Sequence, residues 1–255
     1  MKVNSFEILM PAVTEEKLAN FEDAVHLAGS IFKRNRDDFK VLYSADEAQN
    51  GIKIQGESLQ INHQELEEQI IKNLEKKSSR LLLFPFQQTL KRYAKPTLSH
   101  EHNIIFESSF PVLTYKNNIK LESIRNVIAP IELNEDFMPL VLKVLKFVKG
   151  LKSATLHIVS VLHNSDDYKL NKTTQQLSLL NHLFAENNVK YTAEIINSQN
   201  DAEIKSDIVL DHINRVNADL VVLYKNQLKF GDTKNANINL LEIISKSEVP
   251  IITFI

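Results

Sequence analysis

The sequence predicts an α/β protein built from two related halves, each a doubly wound, mainly parallel sheet of five strands covered by helices. Apolar runs with strand character alternate with segments of helical periodicity, which is the pattern of parallel sheets covered on both faces. The ends of the two halves also repeat at a constant spacing. The length of 255 residues suits two domains, since single domains cluster near roughly 100 to 150 residues.

The repeat is clearest in the closing part of each half. Leu81 and Leu220 are separated by the same distance along the chain as Pro111 and Pro250, so the intervening stretches align without a gap. Both stretches have the order strand, loop, helix, strand, which a few chance identities would not supply. We therefore predict a shortened first domain over residues 1–118 and a second domain over residues 122–255.

Each half opens with an apolar strand, 6–13 in the first and 126–132 in the second, and a helix follows. Thr14 is a typical N-cap for the first helix, and the second helix is predicted to begin near Glu135 and to end at Gly150. The remaining predicted elements of the second half are strands 155–161, 189–196, 219–223 and 249–253, with helices 172–187 and 201–216.

The opening part of the first half is shorter than its counterpart, because Pro11 and Pro130 lie closer together along the chain than Pro111 and Pro250 do. Only residues 45–50 separate the predicted strand 39–44 from the next one, 51–61. A parallel crossover needs about a dozen residues, so the sequence predicts a hairpin there without a helix. The other predicted elements of this half are the helix 62–76 and the strands 80–84 and 110–114.

Composition excludes several classes of function. The net charge of −2 offers no field that would gather nucleic acid or anionic lipid. The absence of cysteine excludes disulfides, thiolate metal sites and cysteine nucleophiles. No apolar stretch approaches the roughly 20 residues that span a bilayer, and the start of the chain does not have the form of a signal peptide. We therefore expect a cytoplasmic protein without nucleic-acid or membrane partners.

The second half opens with an apolar-apolar-x-Pro-apolar-acid pattern at 127–132 and closes with Val249 and Pro250 before an apolar strand. With five strands in this order, the sequence resembles the universal stress protein family, most clearly over 124–255 and more faintly over 6–115. The resemblance implies a tandem member of that family, with an adenine nucleotide alpha hydrolase-like fold in each half.

In nucleotide-binding members of that family, a glycine-rich loop after the fourth strand wraps the phosphates. In the second half, those glycine places fall on Tyr224, Gln227 and Asn237. In the first half, they fall on Pro85, Gln88 and Leu98. Because glycine lets backbone N–H groups approach an anion and proline has no N–H, the resemblance implies a degenerate loop in both halves.

The family's acid at the end of the first strand contacts the adenosine part of the nucleotide. It matches Glu132 in the second half and Val13 in the first. Lys225 and Lys229 are cations on the second-half loop that could hold a phosphate by charge alone. The resemblance therefore implies no resident cofactor, with weak ATP or AMP binding in the second half as the alternative.

Two clusters have metal-like composition. His100 and His102 fall near the start of a predicted helix, and no third or fourth ligand has an evident source. The run from His163 to Asp167 lies in a strand-to-helix loop, where such residues cap and turn the chain. We therefore expect no metal site, and no pairing of nucleophile and base favours an enzyme.

Two functions stay open from the sequence. The first is a non-enzymatic stress-response or regulatory protein that binds a protein or a small molecule and has lost its ATP site. The second is a nucleotide-responsive switch that binds ATP or AMP weakly at the second half. We also predict that the strands 111–115 and 250–254 pair, so that the halves form a built-in dimer, with a homodimer of the whole chain left open.

Overall fold

The computed structural model describes most of the second half of the chain and the principal elements of the first. The described residues are 5–10, 15–32, 39–44, 58–61, 80–85, 105, 108, 111–116, 124–133, 137–151, 153–163, 167–198, 205–225 and 240–254. The chain divides into two compact units, one formed by Met1–Glu122 with Glu248–Ile255 and the other by Ser123–Ser247. The domain boundary between 118 and 122 remains a prediction from the sequence.

The first unit contains a mainly parallel sheet and the helix α1. Its described elements are β1 (Ser5–Met10), α1 (Glu15–Phe32), β2 (Phe39–Ser44), β3 (Ser58–Ile61), β4 (Arg80–Pro85), β5 (Val112–Tyr115) and β10 (Ile251–Phe254). The strand order is β3-β2-β1-β4-β5-β10. Every described pairing in this sheet is parallel except the one between β5 and β10. Helix α1 buries Ala24, Leu27, Ala28 and Ile31, which share one face at helical spacing.

The pairing of β5 with β10 confirms the prediction that the strands 111–115 and 250–254 lie together. The pairing is antiparallel, with Leu113 opposite Ile252. The Thr114 hydroxyl donates to the Ile251 carbonyl at 3.2 Å, and the Thr253 hydroxyl donates to the Val112 carbonyl at 3.2 Å. Because β10 covers β5, the last parallel strand of this sheet is not left as an open edge.

The predicted hairpin between β2 and β3 is wrong. The two strands are parallel, with Val41 opposite Ser58 and Ser44 opposite Ile61. The strand β3 begins at Ser58 rather than at 51, so the connection runs over 45–57. That length meets the dozen or so residues that a parallel crossover needs. The connection itself and the predicted helix 62–76 lie outside the described residues.

The second unit contains a four-stranded parallel sheet and four described helices. Its elements are β6 (Asn126–Pro130), α2 (Phe137–Val148), β7 (Thr155–His163), α3 (Asp167–Glu186), β8 (Tyr191–Ser198), α4 (Lys205–Arg215), β9 (Leu220–Tyr224) and α5 (Leu240–Lys246). The strand order is β9-β6-β7-β8. Right-handed crossovers place α2 and α3 on one face of this sheet and α4 and α5 on the other. The predicted α/β architecture with mainly parallel sheets is confirmed.

Two asparagines end helices in this unit. Asn188 follows α3 with φ 53°, and Asn217 follows α4 with φ 48°. The next N–H groups close the helix ends, from Val189 to the Phe184 carbonyl and from Ala218 to the Ile213 carbonyl, each at 3.1 Å. This is the Schellman arrangement, in which asparagine replaces the more common glycine at the left-handed position. None of the helices in the described part of the chain combines the length and the apolarity that crossing a bilayer requires.

Candidate functional site

The strand order of the second unit reverses at β6, which lies between β9 and β7. Open parallel sheets bind ligands in the crevice at the carboxyl ends of the strands where the order reverses. Glu132 follows the carboxyl end of β6, Tyr224 ends β9, and Lys225 comes directly after it. Parallel pairing of β6 with β9 therefore brings these three of the five predicted site residues to one end of the sheet.

The other two predicted site residues, Gln227 and Asn237, lie outside the described residues. In the first half, Pro85 is the last residue of β4, at the corresponding end of its sheet. The remaining places that the resemblance identified there, Val13, Gln88 and Leu98, are also outside the described residues. The assignment of the five residues to a nucleotide site remains a prediction.

Glu132 is fixed by the backbone on both sides and by a cation. The Ile131 N–H donates to the Val159 carbonyl at 2.9 Å, and the Leu133 N–H donates to the Ser160 hydroxyl oxygen at 3.4 Å. The Lys205 ammonium, at the start of α4, donates to Glu132 Oε1 at 3.0 Å. The side chains of Lys205 and Glu132 are 12% and 32% exposed, so this ion pair is half-buried.

Tyr224, which the resemblance places at the first glycine of the family loop, has a large, buried side chain, only 2% exposed. Burial raises the pKa of its hydroxyl well above the ordinary value, so the phenol is neutral at physiological pH. The Lys143 ammonium on α2 lies 5.8 Å from the centroid of the Tyr224 ring, within the range of a cation–π contact. The tyrosine therefore belongs to the packing of this crevice.

Lys225 is buried at the carboxyl end of β9, with 8% of its surface exposed. Burial lowers the pKa of its ammonium to about 7, because removing the charge from water disfavours the protonated form. Near neutral pH this side chain is therefore partly uncharged. Lys143, Lys205 and Lys225 are therefore three lysines near the carboxyl ends of β6 and β9, where Glu132 also lies.

Lys143 and Lys205 were not identified from the sequence. Lys205 lies within the predicted helix 201–216, but it is 73 residues away from Glu132 along the chain. Pairing over that distance depends on the crossover that carries α4 back over the sheet. Lys143 likewise reaches Tyr224 only through the packing of α2 on the sheet. No local motif signals either contact.

The described part of the chain contains no group of three or more acidic or histidine side chains arranged to hold a metal ion. His163 ends β7 and Asp167 begins α3, so the run between them does connect a strand to a helix. His100 and His102 lie outside the described residues.

A second polar cluster lies between α4 and the sheet, near the end of α4. His212 is buried, and its Nδ1 accepts a short hydrogen bond from Nη2 of Arg215. The same Arg215 nitrogen donates to both carboxylate oxygens of Glu194 at 2.7 Å. Burial lowers the pKa of His212, the positive charge of Arg215 adds to that effect, and the carboxylate of Glu194 opposes it. The cluster fastens α4 to β8.

His157 on β7 extends this polar cluster toward β6. Its Nδ1 lies 2.8 Å from the Thr192 hydroxyl, and its Nε2 lies 3.2 Å from Asn126 Oδ1. Burial lowers the pKa of His157. These contacts link β6, β7 and β8. They form a structural network that is separate from the crevice at the carboxyl ends of β6 and β9.

No protein-family model matches the sequence, and none of the curated proteins does. Solved structures match over nearly the whole chain. A universal stress protein from Archaeoglobus fulgidus is 14% identical with a TM-score of 0.65, covering 97% of this chain and 95% of its own. A Pseudomonas aeruginosa protein described as functionally unknown is 14% identical with a TM-score of 0.61, covering 99% of this chain and 92% of its own. The chain therefore has the fold of the universal stress proteins.

Proposed function

We propose that this chain is a non-enzymatic regulatory protein of the universal stress type, which acts by binding a protein or a small molecule and has lost its ATP site. The observation that carries this proposal is the ion pair between Glu132 and Lys205, at 3.0 Å. The carboxylate that the resemblance assigns to adenosine is engaged by the protein's own ammonium. A nucleotide would have to displace that ammonium or share the carboxylate with it.

The loss of the phosphate cradle supports the same proposal. A polyphosphate needs converging N–H donors or cations, and its burial without them costs several kcal/mol. At the first glycine place, the Tyr224 side chain is buried against the crevice, where glycine would leave room for backbone to approach a phosphate. A cost of about 4 kcal/mol would by itself weaken a micromolar dissociation constant about a thousandfold.

The proposal also covers the cellular location, the partner classes and the assembly of the protein. We place it in the cytoplasm, without nucleic-acid or membrane partners, in keeping with the net charge of −2. The two halves would act together in one chain as a built-in dimer, and a homodimer of the whole chain stays open. We assign no catalytic step, because the described residues of the crevice offer no pairing of nucleophile and base.

The alternative is a nucleotide-responsive switch that binds ATP or AMP weakly at the second half. Its support is the basic character of the crevice, where Lys143, Lys205 and Lys225 flank the ends of β6 and β9. If Lys225 holds a phosphate, binding strengthens as pH falls through about 7, because the ammonium form then predominates. This alternative predicts measurable but weak affinity.

Isothermal titration of the full chain with ATP and with AMP at physiological salt tests both proposals. We expect dissociation constants weaker than about a micromolar for both nucleotides. A value near a micromolar or tighter contradicts the loss of the ATP site. For the alternative, the titration is repeated at pH 6 and pH 8 with Lys225→Met, and with Lys190→Met as a control at an exposed lysine away from the crevice.

A further inference from the structure

Three large apolar side chains are exposed in the described part of the chain, and all three lie on α2 and α3. Leu142 on α2 is 47% exposed, and Tyr168 and Leu179 on α3 are 73% and 56% exposed. Both helices cover the same face of the second unit's sheet, by the handedness of their crossovers. Exposed apolar side chains gathered on one face of a protein are typical of an interaction surface.

One hydrogen bond fixes how the two helices align. The Lys149 ammonium, just after α2, donates to Asn187 Oδ1, just after α3, at 3.0 Å. Leu142 lies seven residues before Lys149, two helical turns, and so on the same flank of α2. Leu179 lies eight residues before Asn187. At 1.5 Å per residue, the two leucines stand about 10 and 12 Å from this hydrogen bond, at nearly the same height.

The phase of α3 directs its exposed apolar residues toward α2. Leu180 and Phe184 mark the buried stripe of α3, and Leu179 lies about 100° around the helix from Leu180, on the flank that right-handed crossovers turn toward α2. Tyr168 lies eleven residues before Leu179 and shares its flank, but it is about 28 Å from Asn187 along α3, whereas α2 begins only about 18 Å from Lys149, so Tyr168 lies beyond the start of α2. We call the surface formed by Leu142, Lys146, Lys149 and Leu179 the α2–α3 groove.

Charge is distributed unevenly along this groove. Lys146 and Lys149 are exposed on the α2 side, and α2 contains no aspartate or glutamate between Phe137 and Val148. On the α3 side, residues 173–181 contain no charged side chain. Lys172 and Glu186, each seven residues from Leu179, share its flank, and the Glu186 carboxylate contacts His182 Nε2 at 3.0 Å. A surface with an apolar centre, few charges to desolvate and lysines along one rim is complementary to a partner with apolar side chains and acidic neighbours.

We propose that the α2–α3 groove docks an acidic amphipathic helix of a partner protein, with its apolar side chains against Leu142 and Leu179 and its carboxylates beside Lys146 and Lys149. This inference rests on the proposed role as a binding protein and names its partner class. Two-helix grooves accept a third helix through apolar anchors spaced three, four and seven residues apart. A second copy of this chain would bring the lysines of both copies to one interface, and the net charge of −2 opposes an anionic lipid surface.

The test uses the full chain and two synthetic helical peptides of about 18 residues, five turns long. Both carry leucine at every third or fourth position; one has glutamate at the remaining positions and the other has lysine. Fluorescence anisotropy measures their binding. We expect the acidic peptide to bind at least about tenfold more tightly than the basic one. The double variant Lys146→Glu, Lys149→Glu should reverse that order, whereas Lys190→Glu, at an exposed lysine outside the groove, should leave it unchanged.

The apolar contribution is tested by Leu142→Ala with Leu179→Ala, which should weaken the acidic peptide about tenfold while the thermal unfolding midpoint stays near that of the wild type. Equal binding of the two peptides, binding that the charge reversal does not alter, or no binding of either peptide overturns the proposal. Self-association that Leu142→Glu abolishes would assign the groove to a second copy instead. Binding to phosphatidylserine vesicles in the absence of peptide binding would assign it to lipid.

The peptide-binding experiment and the ATP titration can fail independently of each other. If neither peptide binds and ATP binds only weakly, the docking surface is wrong and the loss of the ATP site stands. If the acidic peptide binds through the groove and ATP also binds near a micromolar, the docking surface stands and the loss of the ATP site is wrong.

Discussion

The Lys205 ammonium lies 3.0 Å from a carboxylate oxygen of Glu132, and this contact joins the start of α4 to the carboxyl end of β6. We expect Lys205→Met to lower the free energy of unfolding by about 1 kcal/mol, because it leaves a half-buried carboxylate without its cation. The double variant with Glu132→Gln should recover part of that loss. Urea denaturation of the four proteins gives the coupling energy, and a coupling of zero would show that the pair has no energetic weight.

Lys225 gives the stability of the protein a dependence on pH. Its pKa is about 7 in the folded protein and 10.5 when unperturbed. Between those values the unfolded chain holds a proton that the folded chain has released, so stability rises with pH from about 7 to about 10. We expect Lys225→Met to remove this rise. The check is the urea midpoint of both proteins across that range, and identical slopes would contradict the burial of the ammonium.

His212 should produce a loss of stability in mild acid. Its folded pKa is lowered from 6.5 by burial, so the unfolded chain binds the proton first and stability falls as pH drops below 6.5. The charged groups around it are Arg215 and Asp211 on α4, Glu194 on β8 and His157 on β7.

We expect His212→Gln to reduce the difference in stability between pH 7.5 and pH 5, measured by urea unfolding. His182→Gln, at an exposed histidine of α3, provides the control and should change the difference less than His212→Gln does. An equal effect of the two substitutions would contradict the assignment of this acid sensitivity to the buried histidine.

Tyr224 should contribute strongly to the stability of the protein, because its side chain is buried. We expect Tyr224→Ala to lower the free energy of unfolding by about 3 kcal/mol, the range for removing a buried aromatic side chain. Tyr168→Ala, which removes a tyrosine that is 73% exposed, should change it by less than about 0.5 kcal/mol. Thermal and urea unfolding measure both, and similar losses would place Tyr224 outside the core.

The contact between β5 and β10 can be weakened without removing volume. Thr253→Val deletes the hydroxyl that donates to the Val112 carbonyl at 3.2 Å in a buried setting. We expect a loss of about 1 kcal/mol in the free energy of unfolding. Thr174→Val is the matched control, because the Thr174 hydroxyl donates to the Leu170 carbonyl at an exposed position of α3. A control loss as large as that of Thr253→Val would contradict this interpretation.

Much of the fold could be predicted from local pattern. The strand 39–44 was predicted with the bounds that the structure has, and the helix after Thr14 begins at Glu15. Helix α3 begins at Asp167, ahead of the predicted start at 172, because its first turn is largely polar and lacks the apolar period. The hairpin error arose from reading 51–57 as strand, which left too few residues for a crossover.

The candidate site was predictable only in part. The predicted strands 126–132 and 219–223 lie close to the observed β6 and β9, so the sequence places Glu132, Tyr224 and Lys225 at the same end of the sheet. The partners Lys143 and Lys205 come from helices whose position over the sheet depends on the crossovers. Such contacts are set by tertiary packing, which hydrophobic periodicity does not encode.

The strand β10 belongs to the first sheet although more than half of the chain separates it from its neighbour β5. During synthesis, β5 therefore emerges long before that neighbour exists. At the usual pace of translation, the ribosome needs roughly 7 to 27 seconds to deliver β10. Throughout that interval the nascent chain presents an unfilled strand position with exposed N–H and C=O groups. The first sheet therefore cannot be completed until the second half has been translated, so its folding is coupled to the synthesis of nearly the whole chain.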